Sequence, residues 1–214
     1  MRIASIPFND ELRLQDLYSY GVLDTEKEKD FDELLEVAAH IYGCSIAAIT
    51  FIDRERQWLK SKIGIAEDVR ETSRDIAFCA HTILNNDVLI VEDATKDERF
   101  CLNPFVIENP AIRFYAGAPI VSAGGYRLGS ICVIDTQPRQ LSQQEAKMLQ
   151  IISSKISKML ELRQKNQLLQ SKTKEALHLQ KQLLQKTLKK HEVERKSIST
   201  TLHENIAQCR FLLF

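Results

Sequence analysis

Apolar positions along the chain change period several times. Over residues 9–20 leucines recur among acids at helical spacing, with Asn9 placed as N-cap and Gly21 as a stop, which predicts a short helix. A second is predicted where Phe31, Leu34, Leu35, Val37, Ala38 and Ile41 recur three and four apart and Gly43 follows. The period then shortens. SIAAITFID, from Ser45, is an almost unbroken apolar run, and QWLKSKIG sets Trp58, Lys60 and Lys62 against Leu59 and Ile63, which predicts a strand pair. Residues 74–86 predict another short helix, capped by Asp75 and ended by Asn85 and Asn86, and VLIVEDA then predicts a buried strand. The stretch 95–110, punctuated by Asp97, Asn103, Pro104, Asn109 and Pro110, predicts a long connection able to cover a site. Two more strands, IRFYAGAPIVS and YRLGSICVID, flank Ala123, Gly124 and Gly125, a hairpin signal.

After Gly129 there is no glycine and after Pro138 no proline, so nothing from Leu141 onward would stop a helix. Roughly 70 such residues would extend about 105 Å, more than a domain of this size can cover. Leu149, Ile152, Ile156, Met159, Leu162, Leu169, Ala176 and Leu183 step by three, four or seven, and Leu177, Leu184 and Leu188 form a neighbouring row. That pattern predicts a coiled-coil seam with a phase shift near Lys190, and hence a parallel homodimer through this helix. A solvated helix with incidental leucines is the alternative, and it would be marginal alone.

The predicted class is α+β, an antiparallel sheet flanked by helices and followed by one long coiled-coil helix. Three parts are expected: residues 1–140, closing their own core; 141–193, the coiled coil; and 194–214, which carries candidate chemistry. There the sequence reads ERKSISTTLHENIAQ. On a helix Ile198, Leu202, Ile206, Cys209 and Leu213 share an arc about 80° wide, and His203 projects off its edge on the side of Lys196, Ser199 and Arg210. Glu204 can take a proton from one imidazole nitrogen and leave the other nucleophilic, while the two cations favour a phosphoryl group.

This wording resembles the dimerisation and phosphoacceptor helix of bacterial sensor histidine kinases. The resemblance implies that His203 is the phosphoacceptor, Glu204 its acid/base neighbour and Asn205 a helper of transfer or phosphatase chemistry. It further implies an ATP-binding kinase domain, in the same longer chain or in trans, and a response regulator as partner. The 214 residues hold no Asn-rich and Gly-rich ATP boxes, so the chain is not expected to act as a kinase alone. Earlier in the chain, YGVLDTEKEKDFDELLEVAA, FIDRERQWLKSKIG, RDIAFCAHTIL, VEDATKDERFCLNP, IRFYAGAPI and LGSICVIDTQPR occur in order and resemble GAF domains of bacterial sensor kinases and cyclic-di-nucleotide enzymes. That likeness implies a pocket between sheet and lid for a possible small-molecule ligand, with Phe51, Trp58, Phe78, His81, Phe114 and Cys132 as candidate lining or core residues.

Charge and cysteine content narrow the picture. Net charge is zero, yet residues 146–214 hold 14 Lys and Arg against 5 Glu, a balance of +9, leaving −9 for the rest. The basic residues interleave with glutamine along a seam and lack aromatic companions, so no nucleic-acid partner is expected. Five widely spaced cysteines without a CxxC pair indicate neither a disulfide frame nor a zinc site. Cys79 and His81 stand two apart, about 200° on a helix, and bilin-binding relatives generally have Cys directly followed by His. No metal or other cofactor is therefore expected. With no signal peptide and no membrane span, a cytoplasmic protein is expected. Two other readings remain: a stand-alone GAF regulatory or scaffold protein, and a GAF-type free methionine sulfoxide reductase using Cys79, Cys101 or Cys132, whose sequence contexts do not match that family.

Overall fold

In the computed structural model the backbone is described for residues 1–211 and the side chains for residues 1–201. Two compact units are present, Met1–Gln164 and Lys165–Phe214. The first is built on a six-stranded sheet of β1 (Ile46–Ile52), β2 (Arg56–Ile63), β3 (Glu71–Ser73), β4 (Leu89–Val91), β5 (Phe114–Val121) and β6 (Arg127–Asp135), ordered β3-β2-β1-β6-β5-β4. Every pairing is antiparallel. The helices are α1 (Asp10–Ser19), α2 (Lys29–Tyr42), α3 (Phe78–Thr82), α4 (Pro104–Ile107) and α5 (Gln143–Phe211). The predicted α+β class, antiparallel sheet and long final helix are all present.

The sheet buries both faces. Ala47, Ile49 and Phe51 of β1, Phe114, Ala116, Ala118 and Ile120 of β5 and Ile131 and Val133 of β6 pack with Leu17, Phe31, Leu35 and Ala38. Ala48 and Ile52, Tyr115 and Cys132 face the other way, toward Phe78, Cys79, Phe100 and Val106. Strand side chains alternate between faces, so each strand feeds two cores and reads as a nearly continuous apolar run. Strict alternation fails once. The register of β1 on β2 shifts between Ile49, opposite Ser61, and Thr50, opposite Leu59, so Lys60 is the extra residue of a bulge. Leu59 and Ile63, expected on one face, consequently join opposite cores. Lys60 is buried over the ring of Phe31 and donates to Thr25, the Glu26 carbonyl and Glu28.

Several local expectations are refined. Asn9 stands at the N-cap of α1 without a capping side-chain bond, whereas Gly43 does end α2 in the left-handed region at φ 55°. The helix expected over 74–86 divides into a 3-10 turn, Arg74–Ile76, and α3, because Ala77 between them is extended. Ser73 rather than Asp75 supplies the capping oxygen. The strand predicted at VLIVEDA is limited to Leu89–Val91 and half-buried, since β4 is an edge. Gly125, at φ 80°, turns the β5–β6 hairpin.

The start of α5 belongs to the first unit. Ser142 and Glu145 cap it reciprocally: Glu145 accepts from the Ser142 N–H and hydroxyl at 2.8 and 2.6 Å, and Ser142 Oγ accepts from the Glu145 N–H at 3.2 Å. Leu149, Ile152, Ile156 and Leu160 are then buried in the same core as Phe51 and Phe114. The Ser153 hydroxyl donates to the Pro119 carbonyl at 2.6 Å, Tyr42 Oη donates to the Glu145 carbonyl at 2.6 Å, and Arg163 bonds the carbonyls of Tyr20 and Gly21. The core therefore continues past the boundary expected at residue 140. In the second unit all side chains from Lys165 to Thr201 are exposed, Leu169, Leu183, Leu184 and Leu188 among them. No described helix is long and apolar enough to cross a membrane.

Candidate functional site

A cavity of about 350 Å³ lies against the face of the sheet opposite α2. Ala48, Gln57, Leu59, Tyr115, Cys132 and Ile134 form its floor, Phe78 and Cys79 of α3 one wall, Gly64, Ile65, Ala66 and Val69 another, and Phe105, Asn109, Pro110 and Ile112 the cover. The predicted lid is thus present. It is anchored by Asn103, fully buried, whose amide donates to the Ile76 carbonyl and whose oxygen caps α4 by accepting from the Phe105 N–H, both at 2.9 Å. That side chain ties the lid to the segment preceding α3.

The lining includes no Lys, Arg, Asp or Glu. Its polarity is concentrated in a few groups. Gln57 of β2 and Thr72 of β3 are register partners on one face, and both Gln57 Oε1 and Thr72 Oγ1 are buried without a hydrogen-bond partner. Such groups lower the free energy of a ligand that bonds them, because an unsatisfied buried polar atom costs roughly 1–3 kcal/mol. A mostly apolar cavity with two convergent polar atoms and no fixed charge suits a small, neutral ligand carrying hydrogen-bond donors.

At the floor Cys79 Sγ lies 3.8 Å from Cys132 Sγ. Tyr115 Oη donates to Cys79 Sγ at 3.4 Å and shares a 2.6 Å hydrogen bond with Thr82, and Cys132 Sγ lies 3.6 Å from the Ala48 carbonyl oxygen. Hydrogen bonding with Cys132, and then with Tyr115, holds the Cys79 thiol below its usual pKa despite burial. Cys132 is held up by its bond to Cys79 and by burial, and burial beside the two sulfurs holds the Tyr115 phenol up as well.

Of the residues singled out from sequence, Phe78 and Cys132 line the cavity. Phe51, Trp58 and Phe114 do not: they pack in the core on the opposite face, toward α2 and α5. His81 stands outside the lining. Its ring meets Phe100 edge-on at 4.8 Å, its Nε2 lies 3.1 Å from the Arg2 carbonyl, and burial lowers its pKa. Missed were Cys79 as a lining residue and the Gln57–Thr72 pair, whose short strand β3 gave no apolar run to read. His203, Glu204 and Asn205 belong to the helical backbone of α5, and their side chains lie outside the described residues.

The chain belongs to the GAF domain family, whose sequence profile matches residues 27–160. A cyclic di-GMP phosphodiesterase of Pseudomonas aeruginosa is 40% identical over 151 residues, covering 69% of this chain and 25% of that protein, so the chain spans about a quarter of that relative's length. A domain of a protein described as a two-component sensor histidine kinase from Sinorhizobium meliloti shares the fold at 16% identity and a TM-score of 0.50, over 63% of this chain and 90% of that one. The type II free methionine-R-sulfoxide reductase of Thermoplasma acidophilum does so at 14% identity and a TM-score of 0.52, over 61% and 89%. At these identities the likeness of the two solved structures is one of fold.

Proposed function

We propose that this chain is the sensory part of a two-component histidine kinase, in which a GAF domain takes a small neutral ligand and α5 carries its state to the phosphoacceptor His203. The observation that carries this reading is the dual membership of α5. Its first turns bury Leu149, Ile152, Ile156 and Leu160 on the sheet face opposite the cavity, and the same unbroken helix runs on through LHENIAQ. A ligand that shifts β1, β5 or β6 on one face meets the helix packed on the other. The exposed leucines beyond Lys165 support a parallel homodimer, with residues 141–193 as coiled coil and 194–214 as the start of the phosphoacceptor helix. Response regulator and ATP-binding domain complete the pathway.

The 40% identical phosphodiesterase favours a second reading, the same sensor placed before a different output domain. Phosphorylation separates the two. With a histidine-kinase ATP-binding domain fused after Phe214, the chain is expected to acquire acid-labile phosphate, and His203→Gln to abolish it while light scattering still reports a dimer. Glu204→Ala should slow labelling by about 10²–10⁴ through loss of general-base help. Label that persists in His203→Gln, or its absence from the wild-type fusion, overturns the kinase reading. A monomer at micromolar concentration overturns the coiled coil.

A further inference from the structure

The route proposed through α5 assigns no role to the two sulfurs that border the cavity. Among the described cysteines Cys44 is buried by itself in the α2-side core and Cys101 lies half-exposed in the lid segment. Cys79 and Cys132, from α3 and β6, are the described pair brought together, at 3.8 Å, and both border the cavity although each is nearly inaccessible from outside. A sulfur–sulfur distance of that size is nonbonded contact, and closing it to a bond of about 2.05 Å asks for side-chain rotation at one short helix. The apolar surroundings alone would keep both thiols protonated and inert. Here the Tyr115 hydroxyl, itself bonded to Thr82, points at Cys79 and supplies a hydrogen bond that a thiolate accepts. One member of the pair is thus set up to ionise, with the other protonated beside it.

We infer that Cys79 and Cys132 are a reversible dithiol–disulfide centre, Cys79 the attacking and Cys132 the resolving sulfur, oxidised by a small hydroperoxide that enters the cavity. The neutral, uncharged lining admits such a molecule without a compensating cation. The Cys79 thiolate attacks one peroxide oxygen, the O–O bond breaks, and the departing hydroxide takes the proton Cys79 gave up, leaving a sulfenic acid and water. Cys132 then attacks that sulfur. The S–O bond breaks, the S–S bond forms, and the leaving hydroxide takes the Cys132 proton as a second water. Two electrons pass from the pair to hydrogen peroxide, and an external dithiol reverses the step. The bond would join α3 to β6 across the cavity floor, so oxidation and ligand occupancy would compete for the same space. Such a centre would operate whichever output domain α5 serves.

The test uses the full chain, reduced, freed of reductant, treated with hydrogen peroxide, acid-quenched, alkylated and mapped by mass spectrometry. The peptides holding Cys79 and Cys132 are expected as one species lighter by two hydrogens, split again by dithiothreitol. Cys132→Ser should stop at a Cys79 sulfenic acid trapped by dimedone, and Cys101→Ser should leave the linkage intact. Wild-type protein whose Cys79 and Cys132 both still alkylate under conditions that oxidise Cys101 overturns the proposal. So does a dimedone adduct on wild-type Cys79 without the linked species, or a linkage found only between chains. Because the wild-type map decides each case, a serine variant that fails to fold leaves the test standing.

Discussion

Ending the chain at Gln140 is expected to abolish cooperative folding, whereas ending it at Gln164 leaves the GAF domain intact. The strands and first two helices are complete by residue 140, and from the linear order they were expected to close their own core. The core is not closed there. Leu149, Ile152, Ile156 and Leu160 lie 0–6% exposed against Phe51, Phe114 and Ile131. Burial of each contributes about 1.5–3 kcal/mol, so together they account for roughly 6–12 kcal/mol, comparable with the entire stability of an ordinary domain. The shorter chain also leaves the Pro119 carbonyl and Val121 N–H without Ser153 and Ser157, and the Tyr42 hydroxyl without the Glu145 carbonyl. Thermal melts by near-ultraviolet circular dichroism would decide it, and equal cooperative transitions in the two fragments would refute a core completed by α5. Within residues 1–164, Ile156→Ala should cost about 2–5 kcal/mol.

The second large effect is expected from Asp10, an acid that opens α1 but faces inward. Its carboxylate accepts from Arg13 Nε at 2.6 Å and from Arg74 Nη1 and Nη2 at 2.9 and 3.3 Å, while Arg13 Nη1 donates to the Ile52 carbonyl at 2.6 Å. Arg13 is 2% exposed. Asp10→Ala would leave two buried guanidinium groups sharing one pocket without the carboxylate that bonds both, a loss of about 3–5 kcal/mol in urea melts at neutral pH. Burial alone would raise the Asp10 pKa, but the hydrogen bonds and charges of Arg74 and Arg13 outweigh it and hold the carboxyl below its ordinary value. The folded state therefore gains from Asp10 above the unfolded value near pH 4 and loses that gain as pH falls through the lower folded value. Wild-type stability should decline over that range and Asp10→Asn should not show this part of the decline; identical acid profiles would remove Asp10 from the account.

How much of the site was legible depends on strand geometry. Register partners in a sheet share a face, so Ala48 and Gly117 lie on the same side as Cys132, and Phe51 and Phe114, at odd offsets from them, must lie on the other. Sequence alone supplies the alternation but not the register, so it does not say which of the candidate residues face the cavity. The floor comes from the residues whose register puts them on the α3 side, Ala48, Leu59, Tyr115 and Cys132 among them. In β2 the offset itself is unreliable, since the Lys60 bulge exchanges the faces of the residues beyond it.

Sequence by itself determined the element order, the antiparallel hairpins, the lid and the unbroken final helix, because these rest on local chemistry: glycine at Gly43 and Gly125, proline in the lid, and breaker-free composition after Pro138. The Ser142–Glu145 capping box was equally readable as S-Q-Q-E and marks where α5 begins. Tertiary structure alone decided which sheet face carries the cavity, that the first turns of α5 complete the opposite core, and that Cys79 and Cys132 meet although 53 residues apart. Those outcomes depend on register and on packing between segments distant in the chain, and no residue's own neighbours in sequence carry that information.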